Sequence, residues 1–565
     1  MRIEEIKQTA TWDLYEKGRN YHRLTGIYRD TDINNRMYNG NQWDKANLGD
    51  IAPVQKNFIK AILRYKIAVI FDNLYSLVFS SQNFENEEFR KEAEKICEML
   101  NKRASRVWER DKLDIKCRKF VKDAGINDEG IIYVDYDVKR QDPKNEIVKK
   151  NDVYYGNEND EEIQDQPYIL IRKRMPVSKV VEMALREGIS EEETKKIIGD
   201  NDTFEESGEA AKLELDDMCT VITKMYKKDE TVHFEVVTRY LEIKKDKDSG
   251  LTYYPLVHMN WEDKEGSARG EGEVRYLIPN QIEVNKTEMR RVLTVKLQAY
   301  PSKIVDVSKI QNPSAVNQVG GIIKTNGQPV EDVHKIIGTL QPAQMSPDVK
   351  QLQEDLIKMT RELAGAGDIA TGQINPEDAS GKAILAVQQA SQSPMTEQKE
   401  AFKNSVEDLG RIWLDMWTVY SQDGMKLEQV EQDPETGEET VTLVDIPQTA
   451  LQELQASIKS EITPKGAFDR FAQERSIENL FSAGKFKIEA LPELKIYEKL
   501  LNHDAVMPKA KIKEAIKYME EEQRRIALID AQAKLMQQQA QQFLMNDPDS
   551  QADQIMQAQQ QIPVQ

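Results

Sequence analysis

The sequence predicts an α+β chain built from several parts, and three observations carry that prediction. Both terminal regions place apolar residues at helical spacing. Between Gly130 and Tyr276, β-branched and aromatic runs such as IIYVDYDV, PYILIRKRM and TVHFEVVTRYLEIKKD are split by Asp-, Lys- and Gly-rich turns. Beyond Gly272, long helical stretches flank one small strand-and-turn insert. A length of 565 residues allows about three or four domains of ordinary size.

In chain order, residues 1 to about 30 read as one polar amphipathic helix. NRMYNGNQWD, ending at Asp44, reads as an aromatic turn region with its tight turn at Asn39-Gly40. After Pro53 comes an apolar helix, NFIKAILRYKIAVIF. The stretch from Ile67 to Ser80 is interrupted by Asp72 and Asn73, so it reads as buried helix or strand and not as a membrane span. A Glu- and Lys-rich helix covers about 86–120. The acidic stretch KNDVYYGNENDEEIQD connects strands, and VSKVVEMALREG is a helix among them.

GEGEVRYLIPNQ leads into a helix expected from Pro279 to Gln298, with Pro279 in its first turn, where a missing N–H costs little. Ile282, Met289 and Leu293 lie on one side, but Val292, Val295 and Leu297 widen the apolar surface, so neighbours are expected on several sides. Residues 299–346 read as strand and turn, with a hairpin at Asn326-Gly327. Ser346-Pro347 then opens a second helix. Its Val349, Leu352, Leu356, Met359 and Leu363 step by 3, 4, 3 and 4, a coiled-coil-like seam. After the loop AGAGDIATGQINPEDASGKAIL, a long helix is expected from Ser380 to about Gln422, bent near Pro394. The stripe Phe402, Val406, Leu409, Trp413, Met416 and Tyr420 reads as core. QDPETGEETVTLVDI is a hairpin turning at Thr436-Gly437. Residues 464–546 read as helical, broken at Ser482-Ala483-Gly484 and at Pro508, and the Gln-rich tail 547–565 reads as disordered.

Composition excludes several functions. A net charge of -19 argues against a general basic surface for nucleic acid. Cys97, Cys117 and Cys219 form no CxxC pair, so neither a disulfide framework nor a cysteine-based zinc site is expected. The charged N-terminus, MRIEEIKQTATWD, lacks the apolar segment of a signal peptide, and a soluble protein is expected. The glycine-bearing loop fails as a phosphate cradle: Gly381-Lys382 is followed by Ala383, Pro376 stands five before Gly381, and a helix precedes the loop where a strand is required. The five histidines form no HxxxH pair, and no GxSxG is present. The acids of NWEDKEGSARGEGE, 260–273, carry the alternative reading: a metal-dependent nuclease or other hydrolase. A solvated loop before a helix is the simpler account of them.

The order of parts is more informative than any single motif. NRMYNGNQWD followed by an apolar helix, GEGEVRYLIPNQIEVNKTEMRRVLTVKLQAYPSKIV, and GDIATGQINPEDASGKAILAVQQASQSPMTEQKEAFKNSVEDLGRIW resemble, in that order, segments of the portal proteins of tailed phages and prophages. The resemblance implies a head–tail connector: a ring of twelve identical subunits at one capsid vertex of the virion, made in the cytoplasm of the bacterial host. It implies a wing (1–278, continued by the long helix and 382–463), stem helices 279–298 and 347–364, a clip 299–346 between them, a tunnel loop 365–381 and a helical crown 464–546. The tail 547–565 matches no portal motif. Double-stranded DNA would pass through the channel. The clip would dock the terminase large subunit and later the head–tail adaptor proteins, and major capsid and scaffolding proteins would surround the ring. No enzyme activity, cofactor, metal or membrane is implied. The tunnel loop would present Gly365, Gly367, Asp368, Thr371, Gln373, Asn375, Glu377 and Asp378. Stem basic rings would use Lys286, Arg290, Arg291 and Lys358, unless these pair with Glu283, Glu288, Glu354 or Glu362. Clip docking would involve Asn326, Glu331, Asp332 and His334.

Overall fold

The protein is described here by a computed structural model covering residues 8–43, 53–81, 87–200, 217–318, 320–326, 336–340, 344–367, 393–421, 424–432, 439–453, 456–464, 477, 479–500 and 509–546. The chain falls into two compact units, 1–71 with 75–461, and 72–74 with 462–565.

The first unit is α+β. The N-terminal helix of the sequence reading is two helices, α1 (Ala10–Thr25) and α2 (Ile27–Asn39), separated by Gly26 at φ 79. The turn expected at Asn39-Gly40 is instead a helix end: α2 runs through Arg36, Met37 and Tyr38, and Gly40, at φ 94, returns its N–H to the Arg36 carbonyl. A left-handed residue closes a helix at least cost when it is glycine. The stretch Ile67–Ser80 holds the end of one element and most of another: α3 (Phe58–Ile70), capped by Asn57, and β1 (Asn73–Ser81). The expected single helix at 86–120 is likewise a pair, α4 (Glu87–Arg110) and α5 (Leu113–Asn127), turning at Lys112 with φ 51.

Two antiparallel sheets follow. β2 (Glu129–Asp137) lies between β3 (Asp142–Val148) and β9 (Leu256–Asn260). The second sheet orders β4 (Val153–Tyr155), β5 (Ile169–Pro176), β6 (Met218–Lys228), β7 (Thr231–Val237) and β8 (Glu242–Asp248) side by side. Two short helices, α6 (Val177–Arg186) and α7 (Glu191–Thr194), lie between β5 and β6 in the chain. Further on come α8 (Glu273–Ala299), the insert strands β10 (Lys303–Val305) and β11 (Ile337–Thr339), α9 (Asp348–Leu363) and α10 (Thr396–Tyr420). The stripe read as core is core: Phe402, Val406, Leu409, Trp413 and Met416 of α10 are buried, and Tyr420 packs on Tyr136. α10 begins after a single 3-10 turn, Ser393–Met395, so Pro394 stands before this helix and not within it. The expected part from Ser380 lies outside the described residues. The hairpin β12 (Met425–Gln432) with β13 (Glu439–Ile446) is present, Gln432 opposite Glu439, and its turn at Thr436-Gly437 lies outside them too. After α11 (Gln448–Glu453) comes β14 (Ala456–Pro464), which pairs with β1.

In the second unit, α12 (Leu491–Leu500) packs on α13 (Lys509–Asn546) through Leu491, Leu494, Ile512, Ile516 and Met519. Further along α13, Leu528, Ile529, Leu535 and Met536 are exposed. Among the described residues no helix is long and apolar enough to cross a membrane.

A buried charge cluster organises the first unit. The Arg269 guanidinium, 5 % exposed, donates to Glu129 and Glu158, to the Val153 carbonyl at 2.8 Å and to His22 Nε2 at 3.0 Å. His258 Nε2 lies 2.9 Å from Glu129. One arginine thus ties α1, β2, β4 and the acidic connector together. Burial alone would raise the Glu129 carboxyl, but the Arg269 charge and the His258 hydrogen bond outweigh it and hold it at about 2. Burial, then the Arg269 charge, push His22 down to about 4, against the opposing pull of the neighbouring Glu158 carboxylate. His22 is therefore neutral, with Nε2 accepting from Arg269. A neutral buried histidine contributes stability that is complete above its unfolded pKa of about 6.5 and is lost as pH falls towards 4; a depressed carboxylate contributes stability that is lost below about 4.5. Thermal unfolding should accordingly show a Tm that drops in two stages on acidification. His22→Gln should flatten the stage between about pH 6.5 and 4 while the lower stage persists, and an unchanged upper stage would remove His22 from this role. Arg269→Met strands two carboxylates and should cost roughly 3–5 kcal/mol in denaturant melts.

Candidate functional site: the α8–α9 hairpin and its loop

The hairpin starts from a polar root. The Gly272 N–H donates to Asp128 Oδ1 at 2.8 Å, and Lys150 holds the other Asp128 oxygen. Glu273, the first residue of α8, receives Lys66 Nζ at 2.6 Å and Trp261 Nε1 at 3.1 Å. An acid at this end also favours the helix dipole. This root starts the helix six residues before the expected Pro279, correcting the sequence reading. Pro279, exposed in the second turn, removes the N–H that would bond the Arg275 carbonyl, and the helix continues past it. One turn further, Gln281 accepts from Phe58 N and donates to the Lys56 carbonyl, while Asn285 accepts from Lys56 N and donates to Gln42. Uncapped N–H groups at the start of α3 are thereby satisfied by α8 side chains.

α9 meets α8 through polar groups. Asn280 donates to Thr360 Oγ1 at 2.9 Å, Arg291 to Gln353 Oε1 at 2.8 Å, and Gln353 to the Val284 carbonyl at 3.3 Å. Gln353 and Thr360 are the buried residues of α9. The apolar seam lies elsewhere: Leu352, Met359 and Leu363 are 65 %, 59 % and 85 % exposed, and Leu356 is half-buried. On α8, Val295 and Leu297 are exposed as well.

The four candidate stem cations divide. Arg290 pairs with Glu283 at 3.6 Å, Arg291 with Glu288 at 3.0 Å, and Lys358 with Glu362 at 3.9 Å. Glu354 is taken by Lys350. Lys286 is exposed and has no ion-pair partner among the described residues. Burial would raise Glu288, but the Gln353 and Lys56 hydrogen bonds hold its carboxyl below the usual range.

In the insert, β10 pairs antiparallel with β11 over a small core of Ile310, Val316 and Ile336. Asn326 is pinned to the 3-10 turn Val307–Lys309, its N–H on the Lys309 carbonyl at 3.1 Å and its Nδ2 on the Ser308 carbonyl at 2.9 Å. Gly327, Glu331, Asp332 and His334 lie outside the described residues. So do Asp368, Thr371, Gln373, Asn375, Glu377 and Asp378 of the loop. Its two described glycines, Gly365 and Gly367, stand at the loop's first end. Gly365, at φ 68, ends α9, and the next N–H returns to the Arg361 carbonyl at 2.8 Å. A Cβ on Gly365 would stand 3.0 Å from Pro394 Cβ, so the start of the loop and the approach to α10 are side by side. Ala366 and Met395, flanking that contact, are each 1 % exposed.

Three acids of 260–273, Asp263, Glu271 and Glu273, are occupied structurally. Asn260 donates to Asp263 and accepts from the Gly270 N–H, Glu271 engages Lys264, Arg275 and Tyr276, and Glu273 holds Lys66 and Trp261. Burial, then the charge of Glu273, push the Glu262 carboxyl up. Among the described residues no group of three or more His, Cys, Asp or Glu is placed to hold a metal ion. Sequence reasoning missed the roles of Glu129, Glu158 and Arg269. Isolated charges carry no sign of burial, and the strands around them, EGIIYVDYD, VYY and LVHMN, read as ordinary apolar strands.

An antiparallel pair of helices on a polar root, a small insert at its far end, and a glycine-led loop returning to a long core helix make up the arrangement. Compared with known families, the chain matches the model described as Phage P22-like portal protein over residues 19–564. The chain belongs to the phage P22-like portal protein family. No curated protein matches it. In this portal-family chain the loop's departure point is testable. Gly365→Val forces a β-branched residue into the left-handed region and against Pro394, and thermal melts should register a loss of about 1–3 kcal/mol. A melt identical to the parent's would show that neither constraint operates.

Proposed function

We propose that the chain is a ring-forming, non-enzymatic conduit for double-stranded DNA at one vertex of a phage capsid, built from twelve copies. What supports this most directly, beside family membership, is the division of the α8–α9 hairpin: polar contacts join the two helices, while Leu352, Met359, Leu363, Val295 and Leu297 face outward. Exposed apolar residues concentrated on one hairpin call for a partner, and in a ring each hairpin has neighbours on both sides. On this reading α8 and α9 are stem helices and the insert between them docks the terminase and, later, head–tail adaptors. The loop after Gly365 approaches DNA in the channel. A wall with net negative charge repels the phosphate backbone and lets it slide. Lys286, alone of the four stem cations without an intrasubunit partner among the described residues, is the best placed of them to contact DNA transiently.

Electron microscopy of the purified protein should show rings with a central hole. A monomer at high concentration that cleaves DNA only with a divalent metal would favour the hydrolase reading. Leu352→Glu with Met359→Glu should abolish rings while circular dichroism stays unchanged. Deleting Asp368–Asp378 should leave rings intact and reduce DNA packaging or retention. Glu331→Lys with Asp332→Lys should weaken capture of the terminase large subunit in a pull-down, and equal capture would detach the insert from docking.

A further inference from the structure

The net charge of -19 hides a local reversal. Between Lys102 and Lys122 stand nine Lys or Arg against three Asp or Glu. The fold gathers part of this run with the β2–β3 turn around a concavity of about 400 Å³, lined by Arg110, Lys112, Lys116, Lys139, Arg140 and Lys144, with Asp111 and Asp137. Every lining residue is charged. Both acids are engaged from within: Asp111 by Arg110 and by the Asn145 N–H at 3.0 Å, Asp137 by the backbone N–H groups of Lys139 and Arg140. Arg110 is held by Asp142 at 2.7 Å and Lys116 by the Asn145 carbonyl at 2.6 Å, which fixes the walls. Lys112, Lys139 and Lys144 are exposed and have no ion-pair partner among the described residues.

We propose that this concavity is a phosphate-binding site that takes the sugar–phosphate backbone of nucleic acid, a contact separate from the α8–α9 hairpin and its loop. The lining offers no aromatic or aliphatic anchor of the kind that centres many protein interfaces. Lysines bind phosphate as mobile point charges without reading sequence. The overall negative charge does not forbid this. At physiological salt the screening length is about 8 Å, so a phosphate in the concavity meets the lysines and not the remote acids.

The test is fluorescence anisotropy with a labelled duplex of random sequence, titrated at several salt concentrations with the full-length protein. Lys112→Ala/Lys139→Ala/Lys144→Ala should weaken binding about tenfold near 0.1 M salt and reduce the slope of log K against log salt by about 2–3, at roughly 0.9 per phosphate contact. The matched control Lys228→Ala/Lys245→Ala/Lys247→Ala should change neither. A triple glutamine variant checks that the loss follows charge and not fold. Unchanged affinity and slope would overturn the proposal, as would an equal loss in the control. Saturable binding of inorganic phosphate without duplex binding would overturn the nucleic-acid assignment, and so would tighter binding of poly-glutamate than of duplex. Ring formation, which tests the portal reading, is scored separately on the same variants.

Discussion

The first turn of α8 is held by buried ions. Lys66 and Glu273 are nearly dry, Trp261 closes over them, and Asp128 grips the preceding backbone N–H. A buried pair of this kind is weak as a source of net stability, because desolvation consumes most of the attraction. Its strength lies in discrimination. If the helix shifts by one residue, a lysine and a glutamate are both stranded in apolar surroundings, at a cost of several kcal/mol. Register and direction of the helix are thereby fixed where it leaves the body. The Arg269 cluster does the same for the strands beneath, so the base of the hairpin is specified by charge.

Above that base the design changes. The polar contacts between α8 and α9 come from amides, hydroxyls and one arginine, which satisfy each other without claiming Leu352, Met359 or Leu363 of α9. A single subunit is therefore left with Leu352, Met359 and Leu363 turned to water. In the ring proposed above, polar contacts within a subunit and apolar contacts between subunits would separate two requirements: the hairpin would keep its own shape while the apolar surfaces adjust to their neighbours.

Much of this was legible in the sequence, for identifiable reasons. The Phe402–Met416 stripe, the strand texture of 130–276 and the paired helices around an insert rest on periodicity, which packing preserves. Breaks inside helical stretches were missed at Gly26 and Lys112 because a single left-handed residue leaves the periodic pattern on both sides intact. Pro279 was misplaced because a proline near a helix start is usually in the first turn, and the sequence does not reveal that Glu273 has a buried lysine waiting for it. The seam at Val349–Leu363 was visible as a pattern, but its direction was not. Periodicity shows that apolar residues share a face, while only the partner side, here Gln353 and Thr360, decides which way that face points. The basic concavity was out of reach altogether, since its residues come from two separated segments in an acidic chain.

The contact between Gly365 and Pro394 sets an upper bound on the reach of the intervening chain. A strand of backbone that leaves and re-enters at one point can extend no further than half its contour length. At about 3.4 Å per residue, the span between those anchors reaches roughly 45–50 Å at most, and every two residues removed shorten that radius by about 3.4 Å. The anchoring thus converts a count of residues into a maximum radius, a quantity set by chain length and not by the helices at either end.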